Sequence, residues 1–151
     1  MEKNFVPLEQ QYFKSEIFDI ELGEDEETNP RIYGKQLSAW LRTKFIELGY
    51  EVKSVIPEDW GWCVMCKRAP FSLWIGCGSV INYEHGDPEG PIPDTNDVVW
   101  YCFVVAEIPF LKRIFNKPDV EPEVSKLRKQ LYQLLSGTKR IHLLGQEEAN
   151  A

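Results

Sequence analysis

Four cysteines (Cys63, Cys66, Cys77, Cys102), two histidines (His85, His142) and the adjacent carboxylates Glu58 and Asp59 are the residues whose types and spacing could do chemistry. Four thiolates satisfy a structural zinc ion, and Cys63-Val64-Met65-Cys66 is a CxxC pair in loose register with the other two. A zinc- or thiol-dependent protein using these four cysteines is therefore one reading of the chain. The surrounding residues oppose it. Val64 and Met65 continue an apolar strand, and residues three apart in a strand point to opposite faces, so Cys63 and Cys66 do not reach one metal. A thioredoxin-like role needs the pair at the start of a helix, whose dipole lowers the thiol pKa, and no helical pattern follows Cys66. Cys102 sits inside the most apolar run of all. The cysteines are expected to be small core residues, with no metal and no cofactor.

His85 lies among Glu84, Asp87, Glu89, Asp94 and Asp97, whose oxygens suit a hard cation, but no spacing matches a calcium loop. The expectation there is a long acidic Gly/Pro loop over 84–97. His142 falls in a short apolar run and is expected as a packed or edge histidine. No G-x-S-x-G, H-E-x-x-H, Walker A or Rossmann glycine pattern occurs, and Gly76-Cys77-Gly78-Ser79 is too short to cradle a phosphate. Paired carboxylates divide acid and base roles only when their environments differ, and neighbours on a turn both face water. No catalytic residue is expected.

What remains is Pro57-Glu58-Asp59-Trp60-Gly61-Trp62, which joins a turn former, two carboxylates and two of the five tryptophans. Two readings compete. In the structural one, Asp59 accepts turn N–H groups while Trp60 and Trp62, two residues apart, project to one side and roof the core beside Trp40. In the other, Glu58, Asp59, Trp60 and Trp62 form a binding surface, because an amphipathic indole beside a carboxylate is typical of interface hot spots.

The net charge is −7, and seven acidic residues without a basic one run from Glu16 to Glu27. Such a surface repels phosphate backbones, so nucleic acid is not an expected partner. Glu24, Asp25, Glu26 and Glu27 are expected either as a solvated loop or as contacts for a basic protein. No apolar run reaches the roughly 18 to 20 residues that span a bilayer, and the opening Met1-Glu2-Lys3-Asn4-Phe5 has no apolar signal segment. A cytoplasmic protein of 151 residues in one domain is expected.

Positioning these residues requires a scaffold, and its periods are legible. Residues 1–15 show none and read as an irregular arm, and 146–151 as a frayed tail. Ile17–Leu22 alternates after Phe18, predicting a strand with Phe18, Ile20 and Leu22 on one face. Asn29-Pro30 looks like a helix cap and first turn, followed by a stripe of Leu37, Trp40, Leu41, Phe45 and Leu48 that Gly49 ends. Gly34 weakens that helix unless something packs closely there. Tyr50–Ile56 and Gly61–Lys67 predict a hairpin with a loop of four or five residues, and Ala69-Pro70 the next turn. Phe71–Val80 predicts a strand in which Gly76 and Gly78 mark a bulge or a close neighbouring backbone. Val98–Ile108 predicts a central strand buried on both faces or nearly so. Phe110–Phe115 suggests a helical turn. Val124, Leu127, Leu131, Leu134 and Leu135 make a second amphipathic helix ended by Gly137, and Arg140–Leu144 a last strand. Strands flanked by two helices, each with one apolar stripe, predict an α+β two-layer sandwich: an antiparallel sheet of about five strands with two main helices packed on it.

The Gly34-x-x-Leu37-x-x-Trp40-Leu41 helix, Gly49-Tyr50 and Glu58-Asp59-Trp60-Gly61-Trp62 together resemble a group of small bacterial α+β proteins carrying the same Glu-Asp-Trp-Gly-Trp hairpin. The likeness covers roughly residues 29–78 and the Val99-Trp100-Tyr101 segment. It implies a bacterial, cytoplasmic α+β domain and carries over no activity and no catalytic residue. The function expected from the whole sequence is a non-enzymatic protein-binding domain, of the inhibitor or immunity type, for a basic partner. A homodimer through an edge strand or an aromatic patch is the third reading.

Overall fold

Leu37, Leu41 and Phe45 recur at helical spacing and are fully buried, and around them forms α1 (Lys35–Glu47). Its end follows from Gly49, which takes φ 100°. The Gly49 N–H bonds Ile46 O and the Tyr50 N–H bonds Phe45 O, while the Tyr50 and Phe45 rings pack at 5.8 Å, which completes a Schellman cap with its apolar contact. Trp40 is half-buried against Phe18, whereas Leu48 is exposed and ends the stripe. The second long helix, α3 (Glu121–Gly137), buries Val124, Leu127, Leu131 and Leu135, with Pro122 in its first turn, where no N–H is needed. Between them lies the short helix α2 (Phe110–Phe115).

The computed structural model describes residues 9–80 and 91–145. Within them six strands form one antiparallel sheet: β1 (Gln10–Ser15), β2 (Val55–Glu58), β3 (Gly61–Lys67), β4 (Ser72–Ser79), β5 (Trp100–Glu107) and β6 (Ile141–Leu144). Their spatial order is β2-β3-β4-β5-β1-β6. Helix α1 packs across β3 and β4, and α3 across β5 and β6. Both cover the face that carries Phe13, Trp62, Val64, Leu73, Ile75, Trp100, Cys102 and Val104, and one continuous core results. The α+β two-layer expectation holds, with a sixth strand and a third, short helix.

The differences have physical causes. Residues 10–15 are not an irregular arm. They are an interior strand of the sheet, hidden in the sequence because two of the three inward residues, Gln11 and Ser15, are polar. Ile17–Leu22 is not a strand, because its backbone is spent on side chains: the Ile17 N–H bonds Ser15 Oγ, Asp19 N–H bonds Gln36 Oε1, and Glu21 N–H bonds Glu24 Oε2. Phe18 still enters the core, but Leu22 is 90 % exposed. Helix α1 does not begin at Pro30. Arg31 turns to φ 71°, and Gly34 at φ 147° becomes the residue before the helix. The close neighbour expected at Gly34 is present: a Cβ there would lie 3.1 Å from Gly78 Cα and 3.2 Å from the Trp62 ring.

The strand expected over Tyr50–Ile56 forms only from Val55, because Arg42 of α1 reaches out to bond the carbonyls of Val52 and Lys53. The hairpin is tighter than expected. Glu58 pairs with Gly61, so Asp59 and Trp60 alone make the turn. Strand β5 is buried on one face; on the other, Tyr101, Phe103 and Val105 are half-covered. The tail 146–151 and the part of the acidic loop holding His85 lie outside the described residues.

Candidate functional site

Strand pairing decides what the helix-free face of the sheet carries. On β4 it receives Trp74, Gly76 and Gly78, and on β5 Tyr101, Phe103 and Val105. Register sets Gly76 opposite Phe103 and Gly78 opposite Tyr101. A Cβ on Gly76 would come within 2.3 Å of the Phe103 ring, and one on Gly78 within 2.9 Å of the Tyr101 hydroxyl. The two glycines thus lie under two aromatic rings, which stack on each other at 6.0 Å and 10°. The close neighbour at Gly76 is an aromatic side chain, whereas Gly78 has both the Tyr101 ring and the close backbone of Gly34.

Trp60 completes the layer. From the two-residue turn its ring stacks on Trp74 at 5.6 Å and packs against Phe103 at 5.4 Å. Its carbonyl accepts a 2.6 Å hydrogen bond from the Tyr101 hydroxyl, so both backbone and ring are held. Burial pushes that hydroxyl's pKa up to about 12, and it stays a donor at neutral pH. Gly61 permits the approach, because a Cβ there would lie 2.4 Å from Cys77 O. Gln10, Tyr12, Ile32, Trp60, Ser79, Val80, Tyr101 and Phe103 line an open cleft of about 480 Å³ beside this layer.

Trp60 and Trp62 do not project to one side. Trp62 is 2 % exposed and faces α1, whereas Trp60 is partly exposed on the opposite face. Strand alternation starts at Gly61, and Trp60 belongs to the turn. Glu58 and Asp59 are exposed beside Trp60. Glu58, paired with Gly61, and Glu107, two residues beyond Val105 and paired with Ser72, add two exposed carboxylates at the edges of this face.

The acidic loop divides. Glu24 is only 2 % exposed, and its carboxylate accepts from the N–H groups of Gly34 (2.7 Å), Lys35 (3.0 Å) and Glu21 (2.8 Å). It supplies the cap of α1 that the local sequence lacks, with a negative charge at the positive end of the helix. Asp25 accepts from the Arg31 N–H, and Glu27 pairs with Lys35 at 3.1 Å. Glu26 and Glu27 remain exposed. Asn29 Nδ2 donates to Asp59 O at 3.0 Å and ties this segment to the Trp60 turn. The surface residues foreseen in the sequence, Asp25, Glu26, Glu27, Glu58, Asp59 and Trp60, therefore belong to one end of the molecule. Glu24 and Trp62 are interior.

The thiols offer little chemistry. Cys63 is buried against the aromatic side of β3 and Cys66 lies in the helix-side core, on opposite faces of the strand. Burial pushes Cys63 up to about 11, with Glu58 and then Glu107 adding to it, and Cys66 up to about 12. Burial also raises Cys77 and Cys102 well above the ordinary value. No group of three or more His, Cys, Asp or Glu among the described residues is placed to hold a metal ion, and no helix there is long and apolar enough to cross a membrane.

Sequence reasoning missed Tyr12, Trp74, Tyr101 and Phe103. The available signal was the pairing of a Gly-x-Gly strand with an aromatic-x-aromatic strand. Comparison with known protein families, curated proteins and solved structures finds no match to the chain.

Proposed function

We propose that this is a non-enzymatic protein-binding domain of the inhibitor or immunity type, and that its contact surface is Trp60 with Glu58, Asp59 and the adjoining Glu26 and Glu27. One observation carries the reading: the Trp60 ring is partly exposed yet held in a stack with Trp74 and Phe103, in a turn that also carries the exposed Glu58 and Asp59. A preordered indole presents large apolar area with little conformational entropy left to lose, and an acidic rim selects a cationic partner. The partner is accordingly a basic protein surface with apolar side chains. The likeness of this hairpin to that of small bacterial proteins fits a bacterial cytoplasmic setting. Thiols that stay protonated and face opposite sides of β3 favour a binding role over a thiol-dependent one.

Affinity capture from cells that produce the protein tests the reading. The wild-type chain should enrich a basic protein, and Trp60→Ala or the pair Glu58→Lys and Asp59→Lys should lose it while Thr43→Ala on the outer side of α1 retains it. Equal recovery with all of these variants contradicts the assignment.

A further inference from the structure

Helix α2 is amphipathic, and it faces outward. Its Phe110, Leu111, Ile114 and Phe115 occupy an arc of about 140° at 3.6 residues per turn, with Lys112 and Arg113 on the remaining arc. In a folded chain such a stripe normally faces the core. Here Phe110 is 71 %, Leu111 66 %, Ile114 57 % and Phe115 81 % exposed, and every residue from Phe110 to Lys117 is exposed. The helix is held by its ends: Arg113 Nε donates to Ile108 O, and the Arg113 and Asn116 N–H groups close on Pro109 O and Lys112 O. Four adjoining exposed apolar side chains mark an interaction site.

The occupant is set by polarity and charge together. Lys112, Arg113 and Lys117 make this patch cationic in a chain whose net charge is −7. The chain itself presents the complement: an apolar aromatic layer of Trp60, Trp74 and Phe103, flanked by Glu58, Asp59 and Glu107. We propose that the occupant is a second copy of this chain, α2 of one protomer seating on the Trp60 face of its partner and the reverse, in a two-fold pair. The inference rests on the Trp60 face being a receptor for basic apolar segments, and it names the segment. Phe110 and Phe115 meet the indole layer, and Lys112 and Lys117 meet the carboxylates, so one contact removes both exposed apolar surfaces from water.

Sedimentation velocity on the full chain over a concentration series tests it with charge reversals. Lys112, Lys117, Glu58 and Asp59 are all exposed, so the circular dichroism spectra should match wild type, as should the unfolding midpoints at a dilution where every variant is monomeric. Wild type should dimerise. The pair Lys112→Glu and Lys117→Glu, and separately the pair Glu58→Lys and Asp59→Lys, should each weaken association by roughly tenfold or more. An equimolar mixture of the two variants should dimerise again, because each contact regains opposite charges. A wild-type chain that stays monomeric throughout, or a dimer that neither reversal weakens, overturns the proposal. In the first case capture by the Trp60 face still decides the receptor reading; a dimer sensitive to the α2 reversal alone overturns the seat.

Discussion

Two kinds of residue carry more than their types suggest. Glu24 belongs to an acidic run that reads as solvated, yet it is the cap of a helix eleven residues away, and its three bonded N–H groups have no other acceptor of that charge. Glu24→Ala should cost roughly 2–3 kcal/mol in urea unfolding, and Glu24→Gln, which keeps an acceptor oxygen, about half as much. Asp25→Ala and Glu26→Ala, nearer the surface, should cost less. The cysteines make the second case. Their ordinary value is 9.0, and burial holds Cys63 at about 11 and Cys66 at about 12. Above pH 9 the unfolded chain loses thiol protons that the folded chain retains, so the folded state binds more protons and stability falls with rising pH. The thiol contribution is full below the ordinary value of 9.0 and is lost as pH rises through about 11 and about 12. Denaturation midpoints measured between neutral and alkaline pH should show this decline. Ellman's reagent at neutral pH should leave the folded thiols unmodified and titrate all four after denaturation.

At the scale of elements, periods alone were a good guide where the tertiary partner was itself apolar. The Leu37, Leu41, Phe45 stripe and the Val124, Leu127, Leu131, Leu135 stripe are legible because each needs only a greasy surface to meet. Strand β1 was not, because Gln11 and Ser15 face inward and find polar partners there, Ser15 Oγ donating to Arg140 O at 2.7 Å. Ile17–Leu22 alternates but is diverted by side-chain hydrogen bonds, two to the nearby Ser15 and Glu24 and one to Gln36 of α1, which no hydrophobic period registers. The hairpin forms, but its turn is two or three residues shorter than the expected four or five, because Pro57 and Glu58 pair with Trp62 and Gly61. Helix α2 extends the same lesson. Its pattern is that of a packed helix, and only the fold reveals that its apolar side chains are exposed, uncovered by any described residue. Phe110→Ser with Phe115→Ser should therefore change the stability of the monomer, measured at a dilution where the chain does not associate, by no more than about 0.5 kcal/mol. Leu131→Ala, in the fully covered stripe of α3, should cost about 2–5 kcal/mol. Urea denaturation of the two variants side by side measures the difference.

Across the whole molecule, one sheet face is closed by two helices and the other is finished with aromatic rings lying on glycines. The tryptophan and the carboxylates of the site were readable in the hairpin motif, but their platform was not. Trp74, Tyr101 and Phe103 come from strands that meet only through the β4–β5 register, and no local pattern announces that Gly76 and Gly78 lie beneath them. Charge is also unevenly spread. Acidic side chains gather around Trp60 and the loop before α1, and Lys112 and Arg113 lie on the exposed α2 with Lys117 just beyond it. An apolar layer with an acidic rim and an apolar helix with a cationic side are complementary surfaces, and that complementarity is the basis of the proposed self-association.

The most direct test is photo-crosslinking from the turn. Replacing Trp60 with a benzophenone-bearing phenylalanine, in cells that produce the protein, places a reactive aromatic where the indole stands. The expected result is a covalent adduct to a basic apolar segment, which peptide mapping assigns either to α2 of a second copy or to another basic protein, with no adduct from the same probe at Thr43. Adducts of equal yield from both positions, or none from position 60, would contradict the Trp60 face as the working surface.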